Sequence, residues 1–402
     1  MPGLRLAISG IGIVSALGWS AEEAWRAIVE ERSGLGPLTL FPSPRCGHVP
    51  VGQLPGNPAK KSGFSSLGSR SDHMAVIAAR EACAQAGILS RSGVDPARVG
   101  VVLGASTGGM LESEQYIAKL MTEKEMNVGL THRHECACST DAIAETLDFG
   151  GPRLTVCTAC ASGATAIATA ADLISSGAAD VVVAGGVDSL TRLTLNGFSS
   201  LLVVAQDGCR PFDASRAGMS LGEGAGILVI ERMEHAAARG VRPLALLRGH
   251  GAAGDAHHAT APAPDGGGVR RAMHAALAMA KLNAGDVDYV NAHGTGTAEN
   301  DPAEAAAFRA VFTGRMPAIS STKRYFGHTL AAAGAIEAAV CVMALRHRIL
   351  PPNLGLEATD PLLGFEPVRK QIGSAARIAM STSLGFGGMN AALLFERFNS
   401  DE

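Results

Sequence analysis

Aromatic side chains are scarce in this chain of 402 residues: Phe, Trp and Tyr together make up 4% of it. That leaves little for an aromatic-rich recognition surface or a base-stacking groove. Charge is sparse as well. Charged residues are 18% of the sequence and leave a formal net charge of −3, so there is no electrostatic case for nucleic acid or an anionic membrane as partner. No charged block or low-complexity tail is present, which argues against long disordered segments. No run reaches the roughly 18–20 continuous apolar residues of a membrane span. The start, MPGLRLAISGIGIVSALGWS, lacks a basic segment and is interrupted by Gly10 and Gly12. A first strand and turn is expected there rather than a signal peptide, and a cytoplasmic protein. In that compartment the eight cysteines are expected as reduced thiols.

What is abundant is small and apolar. Apolar residues are 47% of the chain and glycines number 49, which favours close packing of helices on sheets around a large core or subunit interface. Strand-like runs (Leu4–Ile8, Val99–Leu103, Arg153–Thr158, Asp180–Ala184, Gly226–Glu231, Val287–Ala292, Ala318–Ser321, Ala391–Glu396) alternate with helical runs (Ala21–Glu30, Asp72–Ala86, Ala161–Ser176, Gly268–Ala280, Pro302–Val311, Leu330–Arg346). That alternation is the pattern of an α/β protein. GEGAGILVIER (Gly222–Arg232) and GFGGMNAALLFER (Gly385–Arg397) repeat a glycine-rich turn, an apolar strand and a terminal Glu-Arg. VGVVLGASTG and VDYVNAHGTG are a second echo. The echoes favour two similar halves, residues 1–240 and 241–402, joined near Glu234–Arg242.

Within the first half, TVCTACASGATAIATAADLISSGAADVVVAGG reads strand, cysteine, helix, strand. Cys160 falls where the first strand stops and the helix begins, with Gly177 at the helix end. A thiol there meets unpaired N–H groups and the positive end of the helix dipole, which favours the thiolate. The geometry is that of a nucleophile elbow with sulfur in place of oxygen. The alternative is a structural cysteine buried in a tight βα turn. A redox or zinc role for Cys157 and Cys160 is weaker, since Cys157 on the strand is expected to lie deeper and no second CxxC pairs with it.

The second half supplies partners. NAHGTGTAENDPAE puts His293 after an apolar strand on a Gly/Thr loop, then opens a helix with Asp301 as N-cap and Glu304 at its third position. ISSTKRYFGHTLAAAGAIEAAV puts Lys323 and His328 in another strand-to-helix loop, with Glu337 inside the helix that follows. Two histidines on separate loops, with Lys and Glu, beside a helix-start cysteine form a catalytic constellation.

These motifs (TACASG, NAHGTGT, STK…GH…AAAG and GFGGMN) resemble the active-site motifs of elongating β-ketoacyl-[acyl-carrier-protein] synthases, and the similarity runs from about Leu4 to Phe395. The resemblance implies the thiolase fold, an α/β architecture of two similar halves in five layers, αβαβα, as a homodimer or a heterodimer with a related ketosynthase. It implies no bound cofactor and no metal, since substrates arrive on the phosphopantetheine of acyl-carrier protein. It implies Cys160 as acyl-carrying nucleophile, the backbone N–H groups of Cys160 and Phe386 as oxyanion donors, and neutral His293 and His328 as enolate stabilisers. Lys323 paired with Glu337 would support the histidines. Thr295, Thr297, Thr260 and Asn390 would meet the pantetheine arm or substrate, and Phe386 between Gly385 and Gly387 would gate the acyl pocket. Arg70 and Arg210 are candidates for docking the carrier protein.

The Cys-His-His set argues against Cys-His-Asn initiating synthases, and the absence of a cysteine on the C-terminal glycine loop argues against degradative thiolases. The sequence is similar to synthase II and to ketosynthases of type II polyketide and polyene clusters. The LLVVAQDG segment departs from the housekeeping fatty-acid pattern and keeps a specialised pathway open. Retention of Cys160 argues against a chain-length-factor subunit, the thiol-less relative, and a role as carrier-protein-binding partner of a second synthase stays as the non-catalytic alternative. THRHECACSTDAIAE sets His132, His134, Cys136 and Cys138 at alternate positions, as metal ligands on a strand or loop would be. A polar, pocket-lining role that shapes chain-length selectivity is the expected alternative.

Overall fold

Glycines in the first apolar run do not interrupt it. Leu6–Ser15 is one buried strand (β1), and its glycines answer to the helix lying on it, Arg70–Gln85 (α3). A Cβ at Gly10 would stand 2.0 Å from the carbonyl oxygen of Ala82, and one at Gly12 2.0 Å from that of Ala78. Gln85 accepts from the Ile11 N–H at 2.8 Å and Glu81 from the Ile13 N–H at 3.0 Å, so α3 holds this strand edge by side chains.

The structure is a computed structural model and describes residues 4–65, 67–90, 93–122 and 127–399. The other strands are Val99–Gly104 (β2), Arg153–Val156 (β3), Val181–Asp188 (β4), Gly224–Arg232 (β5), Ala245–Gly254 (β6), Tyr289–Asn291 (β7), Ala318–Ser320 (β8), Ile349–Leu350 (β9), Ile372–Gly373 (β10), Ile378–Gly385 (β11) and Met389–Arg397 (β12). The other helices are Ala21–Val29 (α1), Ala59–Ser62 (α2), Met110–Thr122 (α4), Ala137–Leu147 (α5), Ser162–Ser175 (α6), Arg192–Ser200 (α7), Met233–Ala238 (α8), Gly267–Ala280 (α9), Asn300–Val311 (α10), Lys323–Phe326 (α11) and Ala333–His347 (α12).

Ten strands form one hydrogen-bonded series, β3-β2-β4-β5-β1-β6-β12-β11-β7-β8. It divides where β1 meets β6, a contact confined to Leu6–Ile8 against Ala245–Leu247. The five strands on each side have the same plan: two parallel pairings at the outer edge and two antiparallel ones toward the middle. Alternating side chains sort the core into layers. On β4, Val182 and Ala184 face the central helices α6 and α12, while Val181 and Val183 face α3 and α5. On β12, Leu393 and Phe395 point to the same central layer and Leu394 to α9 and α10. The five layers are thus α3/α5, sheet, α6/α12, sheet, α9/α10.

The central helices touch through small residues. A Cβ on Gly163 of α6 would lie 2.7 Å from the Ala331 carbonyl oxygen, and one on Gly334 of α12 would lie 2.9 Å from the Ala164 Cβ. Leu330–His347 is, by length and composition, the one helical stretch among the described residues able to cross a membrane, although Glu337 and Arg346 interrupt its apolar run; it is 89% buried as this central layer.

Four strands escape the sequence reading: β6, β11 and the two-residue β9 and β10. β6 is masked by Arg248, His250 and glycines, and β11 by Ser381, Thr382 and Ser383. Helices α4, α5 and α7 were likewise not expected. The His132–Cys138 segment is neither strand nor metal site. It leads into α5, with His132 and His134 exposed and the His134 Nδ1 2.8 Å from Ser113 Oγ. No cluster of three potential ligands exists among the described residues. Cys157 is exposed, because β3 is the sheet's edge and ends at Val156, and all eight cysteines are free.

Candidate active site

Between β3 and α6 the chain turns over the five residues 157–161. Ala159 takes a left-handed φ of 49°, a strained value for a residue with a Cβ, and this aims Cys160 inward at the foot of α6. The Ser162 hydroxyl accepts from the Thr158 N–H at 2.9 Å and donates to the Ala159 carbonyl at 2.6 Å, which fixes the turn. Cys160 is 5% exposed.

The thiolate expectation needs correction. Burial pushes the Cys160 thiol up to about 11, although the Phe386 amide, the Lys323 charge and its own amide pull it down. The resting group is a thiol. The two amides that act on the sulfur are those expected to bind an oxyanion.

Phe386 follows β11 on a loop with Gly387 at φ 81° and Gly388 at φ 74°, both left-handed. A Cβ at Gly385 would lie 2.7 Å from the Thr158 carbonyl oxygen, so only glycine lets this loop close on the cysteine turn. The Phe386 ring is half-buried and stacks obliquely on Phe198 of α7, centroids 5.3 Å apart, rather than entering the core. The Gly387 N–H donates to Ala259 (2.7 Å), and Asn390 Nδ2 donates to Asp255 (2.9 Å) and to the Gly388 carbonyl (3.0 Å). The loop is therefore tied to the segment that carries Thr260.

His293 leaves β7 and is fully buried. Glu304 accepts from the N–H groups of His293 and Gly294, both at 2.8 Å, and from the Thr382 hydroxyl at 2.6 Å. Lys323 Nζ donates to the His293 carbonyl at 2.9 Å, lies 3.4 Å from its Nδ1 and is ion-paired with Glu337. An ammonium beside Nδ1 assigns the ring proton to Nε2. The two imidazoles stand edge to face with centroids 5.2 Å apart. Burial and the Lys323 charge hold both well below the usual histidine range, so both are neutral at pH 7. His328 Nδ1 has no hydrogen-bond partner among the described residues. Burial raises both Glu304 and Glu337 to about 7, against the pull of their donors.

One cleft is lined by Cys160, His293, His328, Thr295, Thr297, Thr260, Gly385, Phe386 and Asn390, with a free volume of about 40 Å³. Thr295 and Thr297 hydroxyls lie 3.0 Å apart. The expected site residues are brought together, with Lys323 and Glu337 behind the histidines and Gly387 on the exposed face of the loop.

Arg70 is not a docking residue. Its guanidinium is buried in a two-pronged bond to Glu223, at 2.8 and 2.6 Å. Its place at the first turn of α3 turns it inward. Arg210 is half-buried, 3.2 Å from Glu357.

Sequence reading missed two residues as site organisers. Glu304 was seen only as a helix-start residue. Asp188 was not seen at all: fully buried, it accepts from the N–H groups of Ser106 (2.8 Å), Thr107 (2.7 Å) and Ala331 (2.8 Å). The available signal was an acid closing an otherwise apolar run, VVVAGGVD, since a buried carboxylate needs several donors.

Residues 4–236 match the β-ketoacyl synthase N-terminal domain and residues 244–357 the β-ketoacyl synthase C-terminal domain. The chain is 38% identical to Nodulation protein E of Rhizobium meliloti, strain 1021, covering 98% of this chain and 99% of that one. It is 35% identical to the mitochondrial 3-oxoacyl-[acyl-carrier-protein] synthase of Arabidopsis thaliana, covering 97% and 93%. Among solved structures it superposes on the ishigamide ketosynthase/chain length factor with a TM-score of 0.94 at 31% identity, over 99% of this chain and 100% of that one. The chain belongs to the β-ketoacyl synthase family, with its thiolase-like fold.

Proposed function

We propose that Cys160, His293 and His328 carry out a decarboxylative Claisen condensation that lengthens an acyl group by a malonyl-derived unit, giving a 3-oxoacyl-[acyl-carrier protein]. The observation that carries this is the convergence of a buried thiol, two amides aimed at its sulfur and two neutral imidazoles on one cleft.

In the first stage the Cys160 sulfur attacks the acyl thioester carbonyl. The carbonyl π pair moves to oxygen, which the Cys160 and Phe386 N–H groups stabilise. The carbon–sulfur bond to pantetheine then breaks, and the thiol proton leaves with the pantetheine sulfur. In the second stage the malonyl carboxylate leaves as CO2, and its bonding pair becomes an enolate. Each neutral imidazole presents one N–H to the enolate oxygen, and burial with the Lys323 charge holds both rings in that form. In the third stage the enolate carbon attacks the acyl–Cys160 carbonyl, the carbon–sulfur bond breaks to free the thiolate, and a proton from solvent restores the resting thiol. No cofactor takes part.

The protein acts in the cytoplasm as a dimer, with a second copy or a related ketosynthase subunit, on substrates tethered to acyl-carrier protein; Arg210 is a docking candidate. The alternative, a non-catalytic partner of another synthase, is disfavoured by the intact Cys160 and both histidines. Mass spectrometry after incubation with acyl-[acyl-carrier protein] of several lengths should show an acyl adduct that Cys160→Ala abolishes. No adduct at any length would overturn the enzyme reading.

A further inference from the structure

At the far end of α12 from the cleft lies a cup of about 420 Å³, lined by Arg242, Pro243, Leu244, Arg346, Arg348, Arg397 and Phe398. At 1.5 Å per residue the helix puts it ~22 Å from the start of α12, beyond the catalytic loop. The volume is that of a small-molecule site.

Four arginines line it, from the junction of the two halves, the end of α12 and the end of β12; Arg242, Arg346 and Arg348 are exposed and Arg397 half-buried. Among the described residues no carboxylate lines the cup. Arg397 is pre-ordered, donating to the carbonyls of Ala375 (3.1 Å) and Ala376 (3.0 Å). Arg242, Arg346 and Arg348 make no side-chain hydrogen bond or ion pair among the described residues. Cations at a helix C-terminus answer the dipole, which accounts for Arg346 and Arg348. It does not account for Arg242 and Arg397, which other segments bring to the same cup. Like charges gathered in a concavity repel unless an anion sits among them, and this protein is acidic overall, at −3.

We propose that the cup binds a nucleotide. Planar guanidinium groups match phosphate oxygens two at a time, and the Phe398 ring with Pro243 and Leu244 gives a purine an apolar wall. Two phosphates would neutralise most of the charge.

The test is calorimetric titration of the full chain with ADP and with inorganic pyrophosphate at low salt. The site predicts saturable binding of both, with ADP the tighter. Arg346→Ala/Arg348→Ala should weaken both at least tenfold, and Phe398→Ala should weaken ADP several-fold while sparing pyrophosphate. Circular dichroism shows that the variants fold, and condensation, measured separately, should be unchanged. Absence of binding, or equal affinity in the double variant, overturns the site. Loss of pyrophosphate together with ADP in Phe398→Ala, or no preference for ADP, overturns the nucleotide assignment.

Discussion

In the N-terminal half the loop after the edge strand β3 presents a sulfur, whereas in the C-terminal half the loop after the edge strand β8 presents Lys323 and His328. Strand order makes these loops counterparts, each leading to a central helix, α6 or α12. The loops after β2 and β7 are also counterparts. One offers Ser106 and Thr107, both bound to Asp188; the other offers His293, bound through its amide to Glu304. The ends of β4 and β11 correspond as well, as Asp188 and the Gly385–Phe386 turn. One scaffold used twice thus delivers a nucleophile from one half and proton-bearing electrophiles from the other. The halves are locked at the site itself, since Asp188 of the first half accepts from the Ala331 amide, three residues beyond His328 in the second.

The difference between the halves is sharpest where charge is buried, and Lys323 is the test with the largest expected effect. Lys323→Met leaves Glu337 buried and uncompensated, a loss of about 3–5 kcal/mol in stability at pH 8. The carboxyl of Glu337 is raised to about 7 even with the ammonium beside it, which lowers it. Without Lys323 it rises further and folds as the neutral acid. Stability linked to a raised carboxyl is present below its unfolded value and is lost as pH rises through the folded one. The deficit in urea denaturation should therefore shrink from pH 8 to pH 5. A deficit that grows toward low pH would contradict the pairing. Next in size, His328→Ala should cost decarboxylation of malonyl-[acyl-carrier protein] on the order of 10²–10³-fold, as for loss of one oxyanion donor. Acyl transfer to Cys160 should suffer less, because its oxyanion is held by backbone amides. Equal loss of both half-reactions in rapid-quench assays would break the division of labour.

Much of this asymmetry was legible in the sequence, for reasons that differ by residue. Cys160, His293, Lys323 and His328 lie at strand-to-helix junctions that an apolar run followed by small residues announces. The two echoes gave the duplication because glycine turns and apolar strands repeat locally. Long-range placement was not legible. β6 and β11 carry Arg, His, Ser and Thr because their side chains meet other layers of the same protein, and Glu396, far along the chain, pairs with Arg248. Arg70 read as surface charge because nothing local signals Glu223, 153 residues away. The thiolate expectation failed because helix-end electrostatics is local, whereas the desolvation that opposes it comes from the whole layer closing over the sulfur.

The duplication predicts matched sensitivity at the two central glycines. Gly163→Val and Gly334→Val each drive a branched side chain into the facing helix, and each should destabilise by about 1–3 kcal/mol. A pair of thermal melts checks it. Tolerance at one position with loss at the other would show that the central layer is not shared equally.

The smallest expected effect concerns the sulfur alone. With the Cys160 thiol pushed up to about 11, the thiolate is a small minority at neutral pH, and it is the thiolate that reacts with an alkylating agent. Below that value the thiolate fraction rises tenfold for each pH unit, so carboxamidomethylation of Cys160, followed by peptide mass spectrometry, should accelerate about tenfold from pH 7 to 8 and again from 8 to 9. A thiolate held by the helix terminus would give a rate flat across that window. Lys323→Met sharpens the comparison of halves, because the Lys323 charge is among the influences that lower the Cys160 value across the interface between them. Its removal should slow alkylation at pH 8 while keeping the tenfold slope, with folding of the variant verified at the same pH. An unchanged rate would mean that the second half leaves the nucleophile's proton untouched and acts only on the enolate.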